Sequence, residues 1–300
     1  MNFCFVSDPH ITSRIPRGRL GNPIDDAKDK LHQLFQFADG HGADVCFAGD
    51  LFDTPRDIVA LFAFLEVVRE YEVINPIDQQ IKIYAVYGQH DMYFRNRNVV
   101  TNLGLLEKAE VITILDPDGH NDGNHRLFGC SWNEDLPDDI HGGLFKILVI
   151  HAPIYKEALY PNHAYIDAKT FANEHQGFQI IHCGDIHRRF KISAKSNLMI
   201  NSGPMMRLTT DEYMMKHKPG FYYFDSQRNS MEFIKFKCKP AEEVLNKQVI
   251  TDEKEKFLKN VFMEMENDFS IVQIIENLIL KHADPETLRE TLNELMGTET

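Results

Sequence analysis

Ten polar residues fall into five short groups: Asp8 and His10 in "SDPH", Asp50 and Asp53 in "GDLFD", Gln89, His90 and Asp91 in "GQHD", His151 in "HAP", and Asp185 and His187 in "GDIH". Carboxylates and imidazoles are the side chains that hold divalent cations. Asp8 with His10, and Asp185 with His187, stand two residues apart, the spacing that shares one face of an extended segment. Taken singly, an Asp after a strand is more often a turn former, and a His there an ordinary polar loop residue. Five groups in series are a stronger signal, because each stands where an apolar run stops. Together they have the donors that a pair of divalent cations needs.

The elements that must position them are visible in the same runs. "NFCFVS" (2–7), "DVCFAG" (44–49), "IKIYAVYG" (81–88), "FKILVI" (145–150) and "FQIIHCG" (178–184) are strand-length and rich in Val, Ile, Phe and Tyr. Their near-continuous apolarity predicts strands buried on both faces. Between the first two, "DDAKDKLHQLFQFADG" sets Leu31, Leu34, Phe35 and Ala38 on one helical face, with Gly40 as the stop. Between the second and third, "TPRDIVALFAFLEVVREY" predicts a helix opened by Thr54 and Pro55, with Ile58, Leu61, Phe62, Leu65 and Val68 recurring. Strands alternating with helices give an α/β class. In an open α/β sheet the carboxyl ends of the strands form the ligand crevice, which is where all five groups fall.

Beyond the last group the pattern changes. "FKISA", "LMINSG", "FYYFDS" and "MEFIKFK", between about 190 and 238, predict short antiparallel strands in a second, more β-rich layer. "SIVQIIENLILKH" and "DPETLRETLNELMG" space their Ile and Leu at helical intervals, the latter with Asp284 as cap and Gly297 as stop. A domain over 1–238 joined near Pro240 to a small helical domain over 241–300 follows.

The bulk numbers bound the class. An apolar share of 43% with 26% charged residues is ordinary for a globular chain. No stretch reaches the roughly 18 apolar residues of a membrane span, and the first residues lack a basic signal-peptide start. Five scattered cysteines, mostly inside apolar runs, predict buried thiols and a cytoplasmic setting. The net charge of −13 argues against a nucleic-acid partner at first sight, but −8 of it lies in residues 241–300.

The five groups carry a resemblance. "DPH … GDLFD … GQHD … HAP … GDIH", from Asp8 to His187, is similar to the signature of calcineurin-like metallophosphoesterases, usually D-x-H, G-D-x-x-D, G-N-H-[DE], H and G-H-x-H. "NSGPMMRLTTDE" followed by "KPGFYYFD" further resembles the SbcD family, the nuclease subunits of double-strand-break repair complexes. The resemblance implies a four-layer αββα sandwich with two cations, the first held by Asp8, His10, Asp50 and His187. The second would take Asp50 as bridge, then Gln89, His151 and Asp185. His90 would sit beside the scissile phosphate, with Asp53 orienting its ring. It further implies DNA as substrate, an SbcC-like ABC-type ATPase with a coiled coil as partner, and a homodimer.

Two positions depart from the signature: Gln89 stands for an Asn and Asp185 for a His. Asp185 replaces a borderline nitrogen by a hard oxygen, which shifts preference from zinc toward manganese, with magnesium second. The rival expectation is a weakened second site.

Basic residues follow the groups: Arg14, Arg17 and Arg19, then Arg56, then Arg95 and Arg97, then Arg188, Arg189 and Lys191, with Arg207 further on. Any one of these is most simply solvated or paired with a local acid. As a cluster they suit the phosphates of DNA, which arginine grips without reading sequence. Tyr93, Phe94 and Tyr155 are placed to stack on bases. The expectation is a manganese-dependent DNA exonuclease and endonuclease. The alternatives are an enzyme for a nucleotide or other small phosphoester, and a catalytically weak subunit that holds DNA ends.

Overall fold

The computed structural model describes residues 2–74, 80–94, 96, 99–137, 143–160 and 162–246. Arg95, Arg97 and the helical tail expected beyond 246 lie outside the described residues. The chain begins β1 (Asn2–Val6), α1 (Pro23–His41), β2 (Ala43–Phe47), α2 (Ile58–Ile74) and β3 (Ile83–Ala85), followed by a 3₁₀ turn at Gln89–Asp91. It continues α3 (Asn102–Lys108), β4 (Thr113–Ile114), β5 (His120–Asp122), β6 (His125–Cys130), β7 (Phe145–Ala152), β8 (Ile154–Tyr155), β9 (Ile166–Asp167) and α4 (Ala168–Glu174). Then come β10 (Ile180–Asp185), β11 (Phe190–Ser193), β12 (Leu198–Asn201), α5 (Glu212–Lys216), β13 (Gly220–Asp225), β14 (Ser230–Lys235) and α6 (Ala241–Val244).

Two six-stranded sheets result, ordered β14-β13-β1-β2-β3-β4 and β11-β12-β10-β7-β6-β5. In each, four neighbouring strands are parallel: β1 to β4 in the first, β12, β10, β7 and β6 in the second. Alternation along the strands builds four layers. Phe3 and Phe5 of β1 pack between the sheets with Ile147 and Val149 of β7, while Cys4 and Val6 face α1 and α2. Leu148 and Ile150 of β7 face α4 on the far side. The α/β class expected from the buried runs, and the four-layer sandwich that the resemblance implies, are the observed ones, with helices outside both sheets. Each fully buried Phe or Ile contributes about 1.5–3 kcal/mol, so the inter-sheet layer is what holds the strand ends in register.

Several local expectations are corrected. Helix α1 runs past Gly40 and ends at Gly42, whose φ of 54° is the left-handed cap that only a Gly adopts freely. Helix α2 starts three residues after Thr54 and Pro55. Its cap is Asp57, whose Oδ1 accepts the Ala60 N–H at 3.0 Å. The four runs after 190 do not form a separate layer: β11 and β12 complete the second sheet, whereas β13 and β14 join the first beside β1. Strand β6, "HRLFGC", went unforeseen because its two leading polar residues mask a short apolar core. Four cysteines are buried thiols as expected, and Cys238 is half-buried. Among the described residues no helix is long and apolar enough to cross a membrane.

Candidate metal centre

The turns after β1, β2, β3, β7 and β10 meet at one edge of the two sheets. They are tightly constrained: Asp8, His10, Asp50 and Asp185 all have positive φ, at 47°, 46°, 48° and 90°. Left-handed backbone at a non-Gly residue costs about 1–3 kcal/mol and gathers at functional sites. Gly49 and Gly88 make the approach feasible, because a Cβ on either would collide with His151 or Asp50. The "NSGPMM" segment buttresses the first turn: Ser7 bridges Pro204, and the Met205 N–H donates to the Asp8 carbonyl at 3.2 Å. Asp91, outside the ligand set expected from the sequence, is fully buried and accepts N–H groups of Leu51, Phe52 and Gly88. It ties the turn after β2 to the turn after β3, and its place after His90 in "GQHD" was the available signal.

Among the described residues three groups of side chains bring ligand atoms within 4.8 Å of one another: Asp8, His10 and His187; Asp8, Asp50 and His151; and His10, Asp53 and His90. Unlike Asp91, Asp8 and Asp50 each give one oxygen to the scaffold and keep the other open. Asp8 Oδ1 accepts the Asp185 N–H at 2.8 Å, and Asp50 Oδ1 accepts the His90 N–H at 2.8 Å. Asp8 Oδ2 and Asp50 Oδ2 are buried without a hydrogen-bond partner. His10 Nε2 and His187 Nε2 point at each other across 2.9 Å. Orphaned buried acceptors are rare because each costs a desolvation penalty of about 1–3 kcal/mol. Open carboxylate oxygens facing imidazole nitrogens fit a divalent cation.

His151 is oriented by the backbone. Its Nδ1 donates to the Ala48 carbonyl at 2.6 Å, which turns Nε2 toward Gln89 Oε1 at 2.8 Å and Asp50 Oδ2 at 3.5 Å. This is the arrangement that readies an imidazole as a ligand. Gln89 and Asp185 are instead occupied with each other, the Gln89 amide donating to Asp185 Oδ1 at 2.7 Å. His90 is exposed at the mouth, and its Nδ1 donates to the main-chain carbonyl of Asp53 at 2.8 Å. The Asp53 carboxylate lies elsewhere, 3.5 Å from His10 Nδ1, so the residue orients the His90 ring through its carbonyl.

Without counter-charge the cluster distorts its own titration. Burial pushes the Asp8 carboxyl up to about 7, against the pull of His151. Burial likewise raises Asp91 to about 7, helped by the neighbouring Asp50 charge. His151 is pushed down by burial but carried up to about 10 by Asp50, Asp8 and Asp185. His187 falls to about 3 through burial and the neighbouring His10. Burial opposes ionisation of Asp50, yet His151 and His10 hold it below the usual carboxylate range. Acids and imidazoles shifted in opposite directions within one cavity mark a candidate functional site.

The arginines divide. Arg19 and Arg207 are buried and spent on the scaffold, which corrects their assignment to a DNA rim. Arg19 pairs with Asp26 at 2.5 Å and donates to the Arg207 carbonyl. Arg207 donates to the carbonyls of His217 and Lys239, both at 2.9 Å. Arg14, Arg17, Arg56 and Arg189 are exposed and Arg188 is half-buried. His182 is structural, as read from the sequence: it is fully buried between the sheets with Nε2 3.1 Å from Ser7 Oγ.

No family model matches this chain, and no curated protein matches it in sequence. Solved structures do align with it. An archaeal phosphodiesterase shares 14% identity over 78% of this chain and 99% of its own, with a TM-score of 0.42. Vps29 from Entamoeba histolytica, complexed with zinc, shares 11% over 79% and 99%, with a TM-score of 0.37. GAP50 of Plasmodium, the anchor in the inner membrane complex, shares 13% over 82% and 88%, with a TM-score of 0.43. At these identities and TM-scores the likenesses carry nothing about the site.

Proposed function

We propose that this chain is a calcineurin-like, metal-dependent phosphodiesterase of the SbcD type, hydrolysing DNA with manganese and working with a coiled-coil ATPase. The observation that carries the reading is the convergence of five strand ends on two buried carboxylate oxygens, Asp8 Oδ2 and Asp50 Oδ2, that have no hydrogen-bond partner. Asp8, His10, Asp50 and His187 would hold one cation, and Asp50, Gln89, His151 and Asp185 the other. Divalent cations there supply Lewis acidity to a phosphoryl oxygen and lower the pKa of water. The chain's own groups do the rest. Ala48 and Asp53 fix the His151 and His90 tautomers through their carbonyls. His90 Nε2 lies at the mouth, and with the ring in its imidazolium form it is the atom that would deliver a proton to the leaving oxygen or steady charge on the phosphate. The arginines exposed on the same loops favour a polyanion.

A second reading, a subunit that binds DNA ends with little turnover, is favoured by the Gln89–Asp185 hydrogen bond, which occupies two ligands of the second cation. The test is incubation with linear duplex DNA, a single-stranded circle and a bis-aryl phosphodiester, with manganese, magnesium or chelator, beside a His90→Ala variant. Manganese-dependent DNA cleavage lost in the variant supports the nuclease. Turnover of the bis-aryl diester alone, with the ATPase also supplied, moves the substrate to a small phosphoester. No turnover of any of them leaves the end-binding subunit.

A further inference from the structure

Two arginines next in sequence to the ligand groups sit over tyrosine rings. Arg56, three residues beyond Asp53, stacks on Tyr93, three residues beyond His90, at 4.4 Å from the ring centroid. Arg188, directly after His187, stacks on Tyr213 at 3.9 Å. The first pair belongs to turns of the first sheet, whereas Arg188 follows β10 of the second, so the stacks stand on opposite sheets. Each is held further. Arg56 Nε donates to the Val100 carbonyl at 2.9 Å. Arg188 Nη1 lies 3.6 Å from Asp211 Oδ1, the oxygen that caps α5 by accepting the Met214 N–H. Helix α5 carries Tyr213, and the Tyr213 hydroxyl oxygen accepts the Arg189 N–H at 2.8 Å, fixing the ring against the loop that bears both arginines.

A guanidinium held over a ring can still offer a phosphate the N–H groups beyond those already engaged, here Nε of Arg56 on Val100 and Nη1 of Arg188 near Asp211. An arginine already held in one rotamer also loses less freedom on binding than a mobile one. We propose that Arg56 and Arg188 are two phosphate stations, one on each side of the ligand cluster, and that Tyr93 and Tyr213 are positioning residues that hold them. The preferred bond is then one with further phosphates on both sides, an internal linkage of a polynucleotide over a terminal monoester. This rests on the phosphodiesterase reading and adds to it two tyrosines that touch neither cation nor reacting phosphate.

The experiment is steady-state cleavage of a single-stranded oligonucleotide with manganese by the wild type and by Tyr213→Leu, Tyr213→Phe, Tyr93→Leu and Arg188→Ala, each first shown to unfold like the wild type. The leucine variants and Arg188→Ala should raise KM about 5–10-fold with a smaller change in kcat, and Tyr213→Phe, which keeps the ring, should stay within about twofold. The salt dependence of log kcat/KM should become shallower by about one in Arg188→Ala. Folded variants with wild-type KM and an unchanged salt slope would overturn the proposal. Where the wild type cleaves neither the oligonucleotide nor a bis-aryl diester, the phosphodiesterase reading is what fails. Oligonucleotide binding by fluorescence anisotropy then decides the stations: weaker binding by Arg188→Ala and Tyr213→Leu supports them, and equal binding removes them.

Discussion

The two halves of the ligand cluster are made of the same kinds of side chain but are hydrogen-bonded differently. Around Asp8, His10, Asp50 and His187 the open atoms accumulate: Asp8 Oδ2 and Asp50 Oδ2 are buried without a hydrogen-bond partner, and His10 Nδ1 has only the Asp53 carboxylate at 3.5 Å. Around Gln89, His151 and Asp185 they do not, because Gln89 accepts from or donates to both of the others. The first half has unmet demand for a cation. In the second, a cation of the kind proposed above would have to displace a hydrogen-bonded pair. The difference falls on the two positions that depart from the expected signature, which teaches that a substituted ligand changes a site by what it bonds to in the cation's place. A third acidic cluster, at the amino-terminal end of β2, is a useful contrast. Asp44 Oδ2 there is also orphaned, and its cluster is made with Asp122, Tyr84 and Lys82. Burial lifts Asp44 to about 7, as it does Asp8, so what sets the first cluster apart is the His151 imidazole held 3.5 Å from Asp50 Oδ2 and 3.8 Å from Asp8 Oδ1.

The largest expected effect is at the shared carboxylate. Asp50→Asn should lower kcat/KM on the order of 10³-fold or more and lower the metal content measured by mass spectrometry of the native protein, since both halves lean on it. Retained activity would break the two-half description. His90→Ala should lower kcat by about 10²–10⁴ while leaving bound metal as in the wild type. A loss of metal in that variant would place His90 among the ligands rather than at the mouth.

Asp185→His addresses the asymmetry itself. Removing the carboxylate that Gln89 binds, and supplying an imidazole, should tighten the weaker of two manganese-binding steps about 10-fold in calorimetry and raise the preference for zinc. An unchanged weaker step would mean that the Gln89–Asp185 bond does not limit it.

The smallest effect is at the far end of β2. A carboxyl raised by burial contributes stability that is complete below its ordinary pKa of about 3.9 and is lost as pH rises through about 7. Between pH 5 and pH 8 the wild-type Tm should therefore fall more than that of Asp44→Asn, by roughly 5 °C. Parallel Tm profiles would show that Asp44 is not the proton-holding member of its cluster.

The chemistry of this chain was open to a linear reading because each ligand group stands directly after a strand, and a strand announces itself by four to six consecutive apolar residues. Asp8, Asp50, His151 and Asp185 needed nothing further to be placed on one edge of the sheets. The helix boundaries did not follow as easily. Gly40 and Thr54 are good local signals, yet the caps are made by Gly42, left-handed with its N–H on the Ala38 and Asp39 carbonyls, and by Asp57, whose carboxylate accepts the Ala60 N–H. The arginines were the least legible of all. Arg19 and Arg207 look in sequence like Arg14 and Arg56, and only their burial against Asp26 and main-chain carbonyls separates a scaffold cation from a rim cation.

The sequence by itself determined which atoms are available: carboxylates, imidazoles and one amide at five strand ends, in an α/β order that must bring those ends together. Residue identity decides that, through apolar runs that have no other way to leave water. The tertiary structure alone decided how each atom is engaged: the carbonyls of Ala48 and Asp53 aiming two imidazoles, the pairing of Gln89 with Asp185, and the stacking of Arg188 on Tyr213. Those depend on distances between segments some 25 to 100 residues apart, which hydrophobic periodicity does not encode.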